Sequence, residues 1–532
     1  MKPRAWIAWP VHHVLIAAYP ILYLVSINLG EVEPVEALVP LALSVGTALA
    51  LFIVLVVVGV PARRAALLVS VVAVVILFFG LGSAAAASFG VTGTPMLVAW
   101  LLLGAGLVAV VGLGRTDLLG VTTVLNVGSA ILVAITLVGI GGHLLNEPAT
   151  GVGGQRPDGE TSASPNPSAA PGARQRDIYY FILDAYGAPR ALDQYMDVPD
   201  GGFMDWLEDA GFEVLRETRS NYGRTPMSLA SSMNMTYLDE LAAERGPDDP
   251  RYGPLVQMVR NAEAIHFLKD RGYSYVLLGS QYYITPRSPL ADVNPVFEQT
   301  SDFIGVLTQS TILPPLVSLV GVEDDLTQRR RVYEAATWGL ETFPELAELP
   351  GPKVVFMHFY LPHSPWVVDG DGNYVTTEED RARPPTERYR TQYAFVDREM
   401  RELIAGLLDV PEEEQPIIIL TPDHGPNTPG MREVEGDIDW EGASDAELDL
   451  KFSIFTAYHL PGVDDTCLYP GMSSVNQFRL VFDLYFDAGL PLLPDRSYIH
   501  RNRSHPYDLT DVTDRLPAAS AGSDTETTCA AP

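Results

Sequence analysis

Four short stretches of this chain place a carboxylate, a hydroxyl or an imidazole where apolar residues give way to polar ones. In Ile417-Ile418-Ile419-Leu420-Thr421-Pro422-Asp423-His424-Gly425, an apolar run ends in an Asp-His pair and a glycine. Such a run reads as a strand buried in a parallel sheet, and the carboxyl ends of such strands are where these sheets place chemistry. Adjacent Asp and His offer oxygen and nitrogen to a divalent ion. The same residues also describe a turn capped by Asp. The run Ile178 to Leu183 repeats the arrangement and ends in Asp184-Ala185-Tyr186-Gly187. A carboxylate there is costly to bury without a partner, and either a metal ion or an Asx turn would supply one.

The third stretch is Ser220-Asn221-Tyr222-Gly223-Arg224-Thr225-Pro226-Met227-Ser228. Thr225 followed by Pro226 predicts a helix start, with Thr225 as N-cap and Pro226 as the first helical residue. The free N–H groups and dipole of that helix end also make an anion site. A hydroxyl there, beside a divalent cation, can ionise and attack phosphorus, and Arg224 could steady the phosphoryl oxygens. The fourth stretch runs from Met357 to Trp366. His363 lies in its Pro-fixed loop and could protonate a leaving group, although a His there is also an ordinary hydrogen-bonded loop residue.

The elements that must position these residues are strands at Ile178–Leu183, Tyr273–Leu278, Val354–Phe359, Ile417–Leu420 and Phe452–Ala457. Helices are expected at Phe203–Ala210, Glu387–Leu408 and Val475–Ala488. Strands alternating with helices imply an α/β domain with a largely parallel sheet. It occupies 177–516, before a small, polar tail at 517–532 that reads as disordered. A stretch rich in Gly, Pro, Ser and Ala, 147–176, reads as a flexible linker.

The first 146 residues are of another kind. They hold few of the chain's 35 Lys and Arg or its 66 Asp and Glu, so the net charge of −31 belongs to the part that follows. Five apolar stretches, Trp6–Leu29, Ala37–Val60, Ala65–Ser88, Pro95–Leu113 and Leu119–Leu145, are each near the 20 residues a bilayer requires. They predict an all-α transmembrane bundle of five helices. Lys2, Arg4, Arg63, Arg64 and Arg115 all fall on one side, which should be the cytoplasm. The N-terminus is then inside, and the α/β domain extracytoplasmic. The two cysteines, Cys467 and Cys529, could pair in an oxidising compartment. So acidic a chain argues against nucleic acid as a partner.

Leu183-Asp184, Gly223-Arg224-Thr225, Pro362-His363 and Asp423-His424-Gly425, in this order behind five spans, resemble the sulfatase-like branch of the alkaline phosphatase superfamily. In architecture the chain is similar to membrane-anchored lipoteichoic acid synthases and other phosphoglycerol or phosphoethanolamine transferases. The resemblance implies a sulfatase-like fold over residues 177 to about 515. It implies Asp184, Thr225, Asp423 and His424 as ligands of a divalent metal, Thr225 as nucleophile and His363 as a substrate-site residue. Lipoteichoic acid synthases usually carry Glu where this chain has Asp184. Thr225-Pro226-Met227-Ser228-Leu229 lacks the Cys or Ser and the trailing Arg of formylglycine sulfatases. His358, His363 and His459 could be proposed for a second metal, but the expected Asp-x-x-x-His is missing, and one ion is favoured.

These readings predict an outward-facing phosphotransferase or phosphodiesterase. It would use one Mn, Mg, Zn or Ca ion and a phospho-threonine intermediate on a lipid-linked or glycan phosphoester at the bilayer. A glycan sulfatase-like hydrolase and an inactive surface scaffold are the alternatives. Two further features read as structural. Asp369-Gly370-Asp371-Gly372-Asn373 has Tyr374 where a calcium loop needs Gly, so a hairpin turn is expected. Arg329-Arg330-Arg331 reads as the solvated start of a helix.

Overall fold

The computed structural model describes residues 9–27, 34–87, 91, 93–114, 118–146, 175–297, 302–319, 328–427, 431–434, 437–463 and 467–517. Most of the expected linker and tail, and Cys529 with its expected disulfide, lie outside them. The chain divides into two units, Met1–Thr161 with Glu298–Leu326, and Ser162–Phe297 with Thr327–Pro532.

The first unit is helical. Val35–Val57, Gly93–Leu113 and Leu119–Gly142 are long and apolar enough to cross a membrane. Ala62–Leu77 and Phe79–Ala86 make a fourth crossing if this pair, bent by 60°, is one span, and the apolar helix His12–Ile27 is shorter. The expectation of five full spans is thus met only in part. The short helix begins where Asn126 meets it. Asn126 Oδ1 accepts from the N–H groups of Val11 and His12 (3.1 and 2.9 Å), and its Nδ2 donates to the Trp9 carbonyl. These are donors that a helix start leaves open and that lipid cannot satisfy. The bend at Phe78 is closed in the same way by a segment from much later in the chain. Gly80 N–H donates to the Ser310 carbonyl (2.8 Å), and Ile312 N–H donates to that of Ile76 (2.9 Å). A Cβ on Gly80 would lie 2.8 Å from the Ser310 oxygen, so glycine is what admits the approach. Phe303 packs against Ile21 and Val25, and Ile312 against Phe79, Met96 and Leu97.

The second unit is built on a six-stranded sheet. Its strands are β1 (Ile178–Leu183), β2 (Glu213–Arg219), β3 (Ser274–Leu278), β4 (Lys353–Phe359), β5 (Ile417–Pro422) and β6 (Ser453–His459), in the order β2-β6-β5-β1-β4-β3. β1 lies parallel to β4 and β5, and β3 parallel to β4; β6 runs antiparallel to β5 and β2. The three central strands are mostly apolar because both faces are covered, with Lys353, His358 and Thr421 the polar residues buried among them. Tyr179, Phe181 and Leu183 pack with Tyr389, Val396 and Met400 of the helix Pro385–Leu408. Ile178, Tyr180 and Ile182 pack with Met227 and Met233 of the helix Thr225–Asn234 and with Phe478 and Phe482 of Gln477–Phe486. Leu183 stands opposite both Phe359 and Pro422. The tips of β1, β4 and β5 are therefore level, and the residues that follow them meet at one edge of the sheet.

The hairpin at Asp369 forms, with Asp369 N–H donating to the Asn373 carbonyl and Val368 bridging Tyr374. The arginine cluster opens the helix Gln328–Ala347 as expected, but one of its members is not solvated. Arg329 is largely buried, donating to the Trp366 and Val375 carbonyls and pairing with Asp380 at 3.3 Å.

Candidate functional site

Asp184 leaves the tip of β1, its N–H donating to the Phe359 carbonyl (3.0 Å). Asp423 leaves the tip of β5. Its Oδ1 accepts from the N–H groups of Ala185 (3.1 Å) and His424 (2.8 Å), which fixes the carboxylate beside Asp184. Its carbonyl accepts from the hydroxyls of Ser220 and Ser228, which lie on either side of Thr225 in sequence. The loop that carries Thr225 is thereby tied to β5. A Cβ on Gly425 would lie 2.1 Å from the Leu450 carbonyl oxygen. The sharp exit from β5 that aims His424 therefore requires glycine.

The helix begins one residue earlier than its sequence suggests. Arg224 has the extended N-cap conformation, Thr225 is the first helical residue, and no side chain caps the start. Uncommitted to the cap, the Thr225 hydroxyl lies 3.3 Å from His424 Nε2. His424 Nδ1 lies 3.0 Å from the Gly425 carbonyl, to which its N–H would donate, leaving the Nε2 lone pair directed at Thr225 and at Asp423 Oδ2, 3.4 Å away.

Two side chains join this group that sequence reasoning did not assign to it. His358, on β4 opposite Ile182, brings Nε2 to 3.4 Å from Asp184 Oδ2. Lys451, ending the helix Asp445–Phe452, brings Nζ to 3.1 Å from His424 Nδ1. Lys451 is one of four lysines in the chain, which is the only sequence signal it offers. Arg224 stands at the rim, donating to the Tyr252 hydroxyl (3.1 Å) and lying 3.8 Å from Asp437. His363 is half-buried, and its Nδ1 is 2.5 Å from the Ser364 carbonyl. A cavity of about 320 Å³ is lined by His363 and Lys451 together with Ala185, Trp366 and Tyr389. His459 is elsewhere, bonded to the Pro416 carbonyl at the opposite end of β5.

The electrostatics of the group ask for a cation. Asp184, His358 and Asp423 each offer a ligand atom within 4.8 Å of the others, and all three are buried. Asp184 Oδ1, Asp423 Oδ2 and His358 Nε2 have no hydrogen-bond partner among the described residues. Burial pushes both carboxyls above their usual range, and the neighbouring Asp184 charge raises Asp423 further. Burial lowers His358 to about 4, and it also lowers His424 and Lys451. Two carboxylates in an enclosed space would take up protons near neutrality, whereas a divalent ion between them keeps both ionised. The donor set of carboxylates, imidazoles and a hydroxyl fits such an ion.

No family model and no curated protein matches the chain. Among solved structures it is similar to the C-terminal periplasmic domain of EcEptC from Escherichia coli, with 16% identity over 65% of this chain and 95% of that one and a TM-score of 0.41. It is also similar to the C-terminal periplasmic domain of phosphoethanolamine transferase EptC from Campylobacter jejuni (11% identity, 66% and 96% covered, TM-score 0.36). A third is the phosphonate monoester hydrolase of Agrobacterium radiobacter (13% identity, 60% and 75% covered, TM-score 0.37).

Proposed function

We propose that this chain is a membrane-anchored, metal-dependent phosphotransferase or phosphodiesterase that acts outside the cytoplasmic membrane on a lipid- or glycan-linked phosphoester. Residues 1–146 form the anchor, 147–176 the linker, 177–516 the catalytic domain and 517–532 the tail. Counting His12–Ile27 and the bent pair as crossings beside the three long helices gives five. The basic residues of the anchor then lie in the cytoplasm and the catalytic domain outside. Tethering raises the effective concentration of a bilayer substrate.

The observation that carries the reaction is the Thr225 hydroxyl at a helix N-terminus, 3.3 Å from His424 Nε2 and beside buried carboxylates. Asp184, Thr225, Asp423 and His424 would hold the ion, which when bound neutralises phosphoryl charge and favours ionisation of the hydroxyl. Thr225 Oγ bonds to phosphorus as the bond from phosphorus to the first alcohol breaks. In the second half, the Thr225–phosphorus bond gives way to an acceptor hydroxyl or water. His363 hands a proton to the departing alcohol. Arg224 and Lys451 hold the phosphoryl oxygens.

Intact-mass analysis of the purified full chain after incubation with lipid extract tests this. The wild type should gain the mass of the transferred group on Thr225. Thr225→Ala should gain none and lose about 10⁴-fold or more in turnover. Undiminished turnover by Thr225→Ala would sink the proposal, and a wild type with neither adduct nor turnover would leave a scaffold. Product analysis separates transfer to an alcohol from release of free phosphate.

A further inference from the structure

His358 sits on a strand in the sheet interior, a position that ordinarily selects an apolar side chain. It is almost fully buried. Its Nδ1 meets two hydroxyls, Ser280 Oγ at 2.9 Å and Thr285 Oγ1 at 2.8 Å, themselves 3.2 Å apart. The loop that brings them there is unusually tight, since a Cβ on Gly279 would fall 1.8 Å from the Thr285 carbonyl oxygen. A metal-bound imidazole is held in this way, with one ring nitrogen occupied by an oxygen partner so that the other presents its lone pair.

The distances on the other side of the ring separate two roles. If Nε2–H donated to the Asp184 carboxylate, a charge-assisted bond would close to about 2.7–2.9 Å. The separation is 3.4 Å, and that between His424 Nε2 and Asp423 Oδ2 is also 3.4 Å. Donors bound about 2.0–2.2 Å from one ion at near-tetrahedral angles stand roughly 3.3–3.6 Å from each other. Each imidazole–carboxylate pair therefore has the spacing of two ligands of an ion, and the ligand atoms of His358, Asp184 and Asp423 all lie within 4.8 Å of one another. His358 Nε2, Asp184 Oδ1 and Asp423 Oδ2 are all buried and have no hydrogen-bond partner among the described residues.

We infer that His358 is a further ligand of the ion in the proposed active site, and that two imidazoles make this a site for a borderline ion such as Zn²⁺, not for Mg²⁺ or Ca²⁺. The inference rests on the metal-dependent reading above and narrows it. Calcium takes six to eight oxygen ligands and magnesium an oxygen octahedron that keeps several waters. Imidazole nitrogen suits the later first-row ions. With His358 the donor set becomes two nitrogens, two carboxylates and the Thr225 oxygen. Ser280 and Thr285 are positioning residues that act through the ring.

The test uses the full chain, stripped with chelator and titrated with Zn²⁺ alone and Mg²⁺ alone. His358→Gln should weaken Zn²⁺ about 100-fold or more while changing Mg²⁺ by less than about threefold. The Ser280→Ala, Thr285→Val pair should weaken Zn²⁺ about tenfold. X-ray absorption at the zinc edge on the wild type counts imidazoles directly and does not depend on a variant folding. Two per ion are expected, falling to one in His358→Gln. One imidazole in the wild type, or Zn²⁺ affinity within threefold of wild type in His358→Gln, overturns the inference and leaves the reaction standing. A wild type that binds no Zn²⁺ overturns the inference. If it also shows no metal dependence of turnover, the proposed function falls with it.

Discussion

The side chain whose charge is least explained by the fold is Lys451. Its Nζ is buried among groups that would hold a cation, 3.1 Å from the imidazole of His424, a proposed metal ligand. A buried ammonium is costly unless carboxylates or a bound anion compensate it. Asp184 and Asp423 do so in the absence of an ion. Once an ion neutralises them, the Lys451 charge is available to a phosphoryl oxygen. Lys451→Met should therefore lower turnover of a phosphodiester by about 10²–10³-fold, the loss typical of one preorganised charge stabiliser. Zn²⁺ affinity should stay the same or rise, because a repelling cation has gone. Measured together, kcat/KM and metal affinity separate this role from metal binding. A parallel fall in both would assign Lys451 to holding the metal residues in place.

At the scale of elements, the tip of β5 is the joint on which His424 and Lys451 both depend. Gly425 N–H donates to the Lys451 carbonyl (2.8 Å), and the missing Cβ is what allows it. Gly425→Ala must displace one backbone from the other, at a cost of about 3 kcal/mol, and should lower turnover and melting temperature together. Gly406→Ala is the control. It lies exposed in the helix Pro385–Leu408, a Cβ there would meet nothing within 4 Å, and helix propensity gains up to about 1 kcal/mol. Equal stability of the two variants would refute the role of Gly425. The elements differed in how far the sequence revealed them. β1, β4 and β5 are largely apolar because both faces are covered, and the acidic or histidine-bearing segments that follow them announced three parts of the site. β2, Glu213-Val214-Leu215-Arg216-Glu217-Thr218-Arg219, went unread because an edge strand is half-exposed and its residues are mixed. His358 was weighed only for a second metal and set aside, since the hydroxyls that hold its ring come from a loop about 75 positions earlier. The hydroxyl of Thr225 was read as a cap because Thr-Pro is a frequent helix start, whereas the backbone begins the helix at Thr225 itself.

Across the whole molecule, acidity is concentrated after the apolar region, so most of the net charge of −31 falls on the chain from residue 147 onward. Self-repulsion of that kind grows with pH and weakens the compact state. One buried group adds to it with the same sign. Asp397, on the helix Pro385–Leu408, accepts a hydrogen bond from the Tyr186 hydroxyl at 2.5 Å, and burial raises its pKa to about 7 while that bond pulls it back. In the unfolded chain the same carboxyl titrates near 3.9. Between about pH 4 and pH 7 the folded state therefore holds more protons than the unfolded one, and stability falls as pH rises through that window. Above pH 7 the loss is complete, at most about 4 kcal/mol for a shift of roughly three units. Asp397→Asn, which keeps the shape and cannot ionise, should remove this part of the decline. With saturating Zn²⁺ present, so that Asp184 and Asp423 stay ionised throughout, the fall in melting temperature of the full chain from pH 5 to pH 8 should be smaller in Asp397→Asn than in the wild type. An identical fall in the two proteins would show that Asp397 is already ionised at pH 5 and that the slope comes from surface charge alone.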